Sequence, residues 1–484
     1  MNFTQYTLGL GASFLLLTAC GGDDDMPVTP DNPNATVYEE TTVEVLGGTG
    51  NTTLVTVRDR GEGTGTVTWT SDKTYQLDGL VFVNDGQVLT IEPGTVVRGT
   101  TGDGENSSAL IVARGARIEA NGTADRPIVL TNELDNTFST PDGLVQGTNL
   151  GNGLDLSKDS RWGGLIVLGR AGLNSSPGES AIEGIVTSEA RGLYGGNVDD
   201  DNSGTLRYVS IRYGDTDIGG GNEINGFTLG GVGSGTTIDY VEVFANVDDG
   251  VEFFGGTAEA KHLVSAYCQD DAFDYDEGYR GKGQFWLAYQ VTTADRGGEH
   301  DGGTDPETAE PFATPTIANA SYFGLGQDGG KRLLTFRDNA GGKYYNSVFS
   351  GYAKGVDVEF VGAGQQDSYA QLRAGNLVFA HNLLTDIGGT PFVIAGVSDE
   401  VTVPDSLQAF ASTYFSNNNN TSVTDPGFGA DGVTPAAGGA AEADLFMGLS
   451  GDGFFESVGY KGAVNPATGP TWITGWTRLS QVLN

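Results

Sequence analysis

The stretch 240–303 repeats itself with a period of 22 residues, and that period limits what the chain can fold into. It reads IDYVEVFANVDDGVEFFGG, AKHLVSAYCQDDAFDYDEGY, QFWLAYQ and GGEHDGG in succession. Shifting the first piece by 22 lays Tyr240 on His262, Val241 on Leu263, Asp248 on Asp270 and Asp249 on Asp271. A further 22 lays Ala266 on Ala288 and Tyr267 on Tyr289. Short apolar strands separated by glycine corners at this spacing describe the coils of a parallel β-solenoid. Residues one period apart then lie directly above one another. The two Asp-Asp pairs are therefore expected to stack, with Glu252, Asp274, Asp276, Glu299 and Asp301 close by.

The same signature extends in both directions. LTIEPGTVVRG and LIVARGARIEANG align with Ile91 on Val112 and Gly94 on Gly115, and RWGGLIVLGRAGLN follows at 161. LRYVSIRYGD restarts the coils at 206–215, and NLVFAHNLLTDIGG at 376–389 reads as a late coil. YYNSVFSGYAKGVDVE at 344–359 repeats YVEVFANVDDGVEF, with Asp357 on Glu252 but Ala353-Lys354 where the Asp-Asp pair stood. The turn does not need two acids, so those at 248–249 and 270–271 serve something local. Polar stretches at 133–160 and 296–316 read as loops thrown off the stack, where solenoids accept insertions.

The expected fold class is all-β: a right-handed parallel β-helix over 77–400, preceded by a strand-like N-terminal β cap at 41–76. After about residue 400 the period fades into a polar region, 401–484, that ends in a capping segment. There Trp472 and Trp476 stand four apart beside Gly475. They either close an otherwise open strand edge or form a platform for sugar rings.

Composition narrows the function. With 63 acidic and 25 basic residues the formal net charge is −38, which excludes nucleic acid as a partner because phosphate contacts need Lys and Arg. Two cysteines, Cys20 and Cys268, and three histidines leave no zinc site of ordinary spacing. Neither a G-x-S-x-G nucleophile elbow nor a G-x-x-x-x-G-K-[ST] phosphate loop is present in the sequence.

Residues 1–19 read as a lipoprotein signal peptide. The apolar run from Leu8 to Leu17 is too short to span a bilayer, and Leu17-Thr18-Ala19-Cys20 matches a lipobox in which Cys20 becomes the lipidated first residue. Gly21-Gly22-Asp23-Asp24-Asp25 resembles the acidic tag that sends Bacteroidota lipoproteins to the exterior of the outer membrane. Residues 20–40 then form an acidic flexible tether of roughly 20 residues, reaching on the order of 25 Å. More than one acyl chain on Cys20 makes the membrane a stable partner.

LTIEPGTVVRG, WGGLIVLG, SGTLRYVSIRYG, NVDDGVEFFGG, DDAFDYDEGYRGKGQF and the closing YKGA with GW together carry a resemblance. Over residues 77–484 the chain resembles a group of bacterial surface lipoproteins of the Bacteroidota type. The resemblance implies a right-handed parallel β-helix and a surface address; that group has no settled activity to carry over.

The acid-rich coils are the strongest chemical signal. Carboxylates stacked one coil apart repel, so solvent, protons, turn N–H groups or a cation must offset them. Calcium takes oxygen ligands at about 2.3–2.6 Å, and two carboxylates about 5 Å apart can share one ion. Asp248, Asp249, Asp270, Asp271, Asp274 and Asp276 are its candidate ligands. Asp199, Asp201 and Ser203 are a second set, because Asp199-Asp200-Asp201-Asn202-Ser203-Gly204 matches the opening of a calcium loop. That loop lacks its closing bidentate acid, since position twelve is Ser210.

Three functions stay open. The first is a non-enzymatic binding or adhesion module, with calcium as cofactor and an extracellular glycan or outer-membrane protein as partner. The second is a polysaccharide lyase or glycoside hydrolase using Asp249, Asp270, Asp271 and His300 as acid and base. GGEHDGG lacks the Gly-His-Gly of galacturonan hydrolases, however, and no Arg-x-Lys follows it. The third is a purely structural surface component. For the anchor, Cys20→Ala is expected to move the protein from the membrane pellet to the soluble fraction; unchanged pelleting removes the lipobox.

Overall fold

The computed structural model describes residues 32–45, 50–102, 104–146, 162–214, 224–290, 293–303, 306–329, 331–398, 400–424, 427–442 and 447–483. Cys20, the expected signal peptide and the expected Asp23–25 tag lie outside the described residues. The remainder forms a parallel β-helix with three walls.

One wall is a ten-stranded, wholly parallel sheet running from Leu80–Val83 through Val251–Phe254, Phe273–Asp276, Arg296–Asp301, Arg332–Arg337 and Lys354–Phe360 to Phe392–Gly396. The other two walls share long strands that bend from one to the next: Gly204–Arg212, Thr237–Phe244 and Glu259–Ala266. Register follows the sequence period, with Val241 on Leu263 and Val251 on Phe273.

Each long strand turns its corner through one residue of left-handed backbone, Tyr208 (φ 49°), Tyr240 (φ 57°) and His262 (φ 48°). Phe285 (φ 59°) turns the next coil. Aromatic residues rarely adopt this conformation, and stacking supports it here. Tyr208, Tyr240, His262 and Phe285 form one outward ladder, with ring centroids 4.4, 4.2 and 4.9 Å apart.

Alternation along each strand sends apolar side chains inward. Phe253, Phe273 and Trp286 stack inside the helix, with Trp286 4.9 Å from Phe273 and its Nε1 donating to the Ala260 carbonyl at 3.0 Å.

Five boundaries differ from the sequence expectation. The stack begins before Leu77, because Asn51–Arg58 already pairs in parallel with Lys73–Leu77, and Val67–Trp69 with Val88–Ile91. Val55 and Val57 face inward over Tyr75 and Leu77, so these residues are coils and not a 41–76 cap. Only Val37–Glu44 is cap-like: it pairs antiparallel to Asn51–Arg58 and draws the last part of the expected tether into the sheet. Arg296–Asp301, expected in a loop, is a full strand whose outward positions are charged and whose inward position is His300.

Beyond residue 400, Thr421–Val423 still pairs with Leu383–Thr385. The helix Asp405–Asn417 covers the end of the stack through Leu407, Phe410, Tyr414 and Phe415. The C-terminal segment does not cap that end. It runs back along the flank, where Ala463, Val464, Ile473 and Leu479 pack on Phe244, Ala266 and Leu287. Trp476 is 1% exposed against Tyr208 and Tyr240, and Trp472 Nε1 donates to the Ala463 carbonyl, so neither forms an open sugar platform.

Trp286→Ala removes the centre of the interior stack. Its expected cost is about 3–5 kcal/mol, read as a lower denaturant midpoint; an unchanged midpoint contradicts this packing.

Candidate functional site

The acidic coils place their carboxylates where two rules meet. Parallel pairing puts equivalent residues in one column, and strand alternation points Glu252, Asp274 and Glu299 outward while Phe253, Tyr275 and His300 point in. The resulting outward column is Thr228, Glu252, Asp274, Glu299, Thr335 and Asp357 in unbroken register. Beside it, at the corner entering the sheet, Asp249 Oδ1 accepts the N–H of Asp271 at 2.8 Å. One carboxylate oxygen of each coil thereby ties down the backbone of the next.

Three triads result, each with one oxygen per residue all within 4.8 Å: Asp248–Asp249–Asp270, Asp249–Glu252–Asp274 and Asp270–Asp271–Asp295. Asp249 belongs to two of them and Asp270 to two. Asp276 stands in the adjoining column above Phe254, its Oδ1 taken by the Glu277 N–H, and belongs to none.

The protein neutralises only part of this charge. Arg296 reaches Asp295 at 2.9 Å, Glu299 at 3.1 Å and Asp271 at 3.3 Å. Arg337 grips Asp301 through two bonds of 2.7 and 2.9 Å and approaches Glu299 at 2.8 Å. Arg332 pairs with Asp357, and Lys331 with Asp295 at 3.2 Å. Among the described residues no Lys or Arg pairs with Asp249, Glu252 or Asp274. Glu252 accepts a hydrogen bond from Asn225 Nδ2. Asp274 Oδ1 and the hydroxyls of Thr228 and Thr335 in the same column are buried with no hydrogen-bond partner among the described residues.

The electrostatic consequence is large. Like charges one strand apart, at about 4.8 Å, repel by about 0.9 kcal/mol in water and about 3.5 kcal/mol at the effective dielectric of a protein surface. Burial, then the charges of Asp271, Asp248 and Glu252, hold the Asp249 carboxyl well above its ordinary range. Burial, then Asp248, does the same to Glu252. Burial, then Glu252 and Asp249, does so to Asp274. Such a triad either keeps protons or takes a cation. Its donors are all carboxylate oxygen, the set a hard divalent cation such as calcium prefers.

The other expected sites are not assembled. His300 is wholly buried, stacked 4.1 Å over Tyr275 with Nε2 2.8 Å from the Tyr344 hydroxyl. Burial pushes its imidazole down to about 3. Strand alternation aims it away from the acids, so the set Asp249, Asp270, Asp271 and His300 does not face one substrate. Asp271 is 2% exposed and occupied by the Arg296 backbone N–H and guanidinium. Asp199 is held by both oxygens to Arg280 at 2.9 Å and by the Gly172 N–H, while Asp201 accepts the Arg170 N–H. An arginine stands where the calcium loop expected its ion. Ser203 donates its N–H to Thr236 and is 1% exposed.

Residues 61–147 and 150–477 match the pectate-lyase-like β-helix domain. The chain belongs to that family. No curated protein and no solved structure matches it. The family accounts for the fold and is compatible with polysaccharide-related roles.

Sequence alone had not supplied Asp295, Arg296 or Asn225. Arg296 lies in the stretch that reads as a loop and Asp295 immediately before it, and Asn225 precedes a strand without any charge to mark it.

The raised carboxyls fix the direction of a pH effect. A carboxyl raised by folding favours the fold below its unfolded value of about 4, and that contribution is lost as pH rises through the folded value. Without divalent cation, the melting temperature is expected to fall as pH climbs from about 4 through neutrality. Asp274→Asn should flatten that fall and raise the neutral-pH melting temperature; a steeper fall would contradict the triad.

Proposed function

We propose that the chain is a cell-surface glycan-binding module whose outward acidic column takes calcium, with Cys20 supplying the lipid anchor. One observation carries this reading: Asp249, Glu252 and Asp274 converge without any basic partner among the described residues, while the acids downstream have their own arginines. Calcium there would relieve the repulsion and keep coordination positions for ligand oxygens. Sugar hydroxyls or uronate carboxylates are the oxygen donors a glycan offers. The family match supports a role with polysaccharide.

A depolymerase is the second reading, and family membership is what favours it. Its proton chemistry would fall to Asp249 and Asp270, because His300 is sealed inside. A binder is preferred because the best-placed carboxyls are buried against one another, an arrangement suited to holding an ion.

Both readings meet in one experiment. Cation-free protein is titrated with calcium, then offered a panel of neutral and acidic polysaccharides while bound glycan, reducing ends and unsaturated ends are followed. Calcium at about 100 times its Kd should stabilise the fold by about 2.7 kcal/mol, and Asp249→Asn with Glu252→Gln should abolish that gain. Retention of glycan without new chain ends is expected. Turnover lost in Asp249→Asn or Asp270→Asn would make the protein an enzyme, and no calcium-dependent shift would end the cation proposal.

A further inference from the structure

Segment 447–483 touches six successive coils, advancing along the stack from Gln284 to Asn346 and then turning back to Tyr208 and Glu242. Glu456 exchanges two 2.8 Å hydrogen bonds with the Gln284 side chain, and its carboxylate meets Lys261 at 2.7 Å. The Tyr460 carbonyl accepts from Asn319 at 3.0 Å, Gly462 N–H donates to the Asn346 carbonyl at 2.7 Å, and Ala463 N–H donates to Ser321 Oγ at 2.8 Å. Trp472 lies against His262 and Tyr240, and Trp476 against Tyr240 and Tyr208. Finally the N–H groups of Arg478 and Leu479 each donate at 2.8 Å to Glu242, a carboxylate with no exposed surface.

A solenoid coil ordinarily contacts only its two neighbours, so nothing but pairwise stacking resists separation along the axis. The coils at 240–290 carry the heaviest load of that kind, because the stacked carboxylates on their other wall push them apart. They are also the coils that the segment ties to one another. Asp248 and Asp249 follow within five residues of Phe244, which the segment covers.

We infer that the C-terminal segment is a longitudinal clamp that holds the acidic coils in register against their own repulsion, so that the oxygen column exists before any cation arrives. The inference rests on the proposed cation-dependent reading for the purpose of the clamp, and on geometry alone for its existence. Without the clamp the coils would open and only a bound cation would close them.

Hydrogen exchange on the full-length chain separates these statements. Trp472→Ala loosens the segment where it touches the aromatic ladder, and Asn319→Ala removes one hydrogen bond to it in case the first variant does not fold. In cation-free buffer, amides of Val251–Phe254 and Phe273–Asp276 should exchange at least about tenfold faster in the variant than in the parent. Those of Ala109–Val112 and Leu165–Leu168 should not change. Calcium should bring protection in the variant up to that of the calcium-loaded parent. Uniform acceleration along the whole stack, or none at 251–276, overturns the clamp. Acceleration there without rescue by calcium keeps the clamp and rejects the cation.

Discussion

Everything in this molecule depends on parallel register at a spacing of one strand. Once Val241 stands on Leu263 and Val251 on Phe273, every side chain is placed over its equivalent in the coil below. For apolar and aromatic groups this is favourable, and the interior stack of Phe253, Trp286 and Phe273 and the outer ladder from Tyr208 to Phe285 are its products. For carboxylates it is unfavourable, and at Asp249, Glu252 and Asp274 the chain has paid that cost.

The acidic wall divides accordingly. From Glu299 onward the acids of the column, Glu299 and Asp357, each meet a guanidinium. At Asp249, Glu252 and Asp274 the guanidinium is withheld, although the same backbone could have presented one, as it does with Arg296 one coil on. The difference between the two halves is thus a difference of side chains on an unchanged scaffold. Fold and site are separable, which is why family membership identifies the first and leaves the second to chemistry.

Much of this was legible in the sequence, and the failures have causes. The period of 22 predicted the fold and brought Asp248, Asp249 and Asp270 together, because periodicity is a direct image of register. It could not say which residues point inward at a coil of unusual composition. His300 reads as a catalytic histidine beside Glu299 and Asp301, yet alternation puts it indoors with Tyr275 and Tyr344. Gly297 and Gly298 together with four charged neighbours disguise a strand as a loop, so Arg296 was invisible as the cation of its own site. Asp199 and Asp201 matched a calcium loop by spacing, and only three dimensions show that Arg280, 81 residues from Asp199, already fills that role. The terminal tryptophans announced a cover but not its address, since nothing local encodes a contact with Tyr240.

The distances along the chain differ sharply between the two kinds of contact. Coil-to-coil partners such as Ile238 and Ala260 are one period apart, whereas the bond from Arg478 to Glu242 joins residues separated by 236 positions. Contacts of the first kind form as the chain emerges, and closing the second kind costs loop entropy that must wait for the others. Segment 447–483 therefore reports whether the coils it touches were stacked without a slip. A coil displaced by one residue would carry Glu242 away from the waiting N–H groups of Arg478 and Leu479 and leave a buried carboxylate unanswered. Segment 447–483 acts as an inspection of the coils at 240–290.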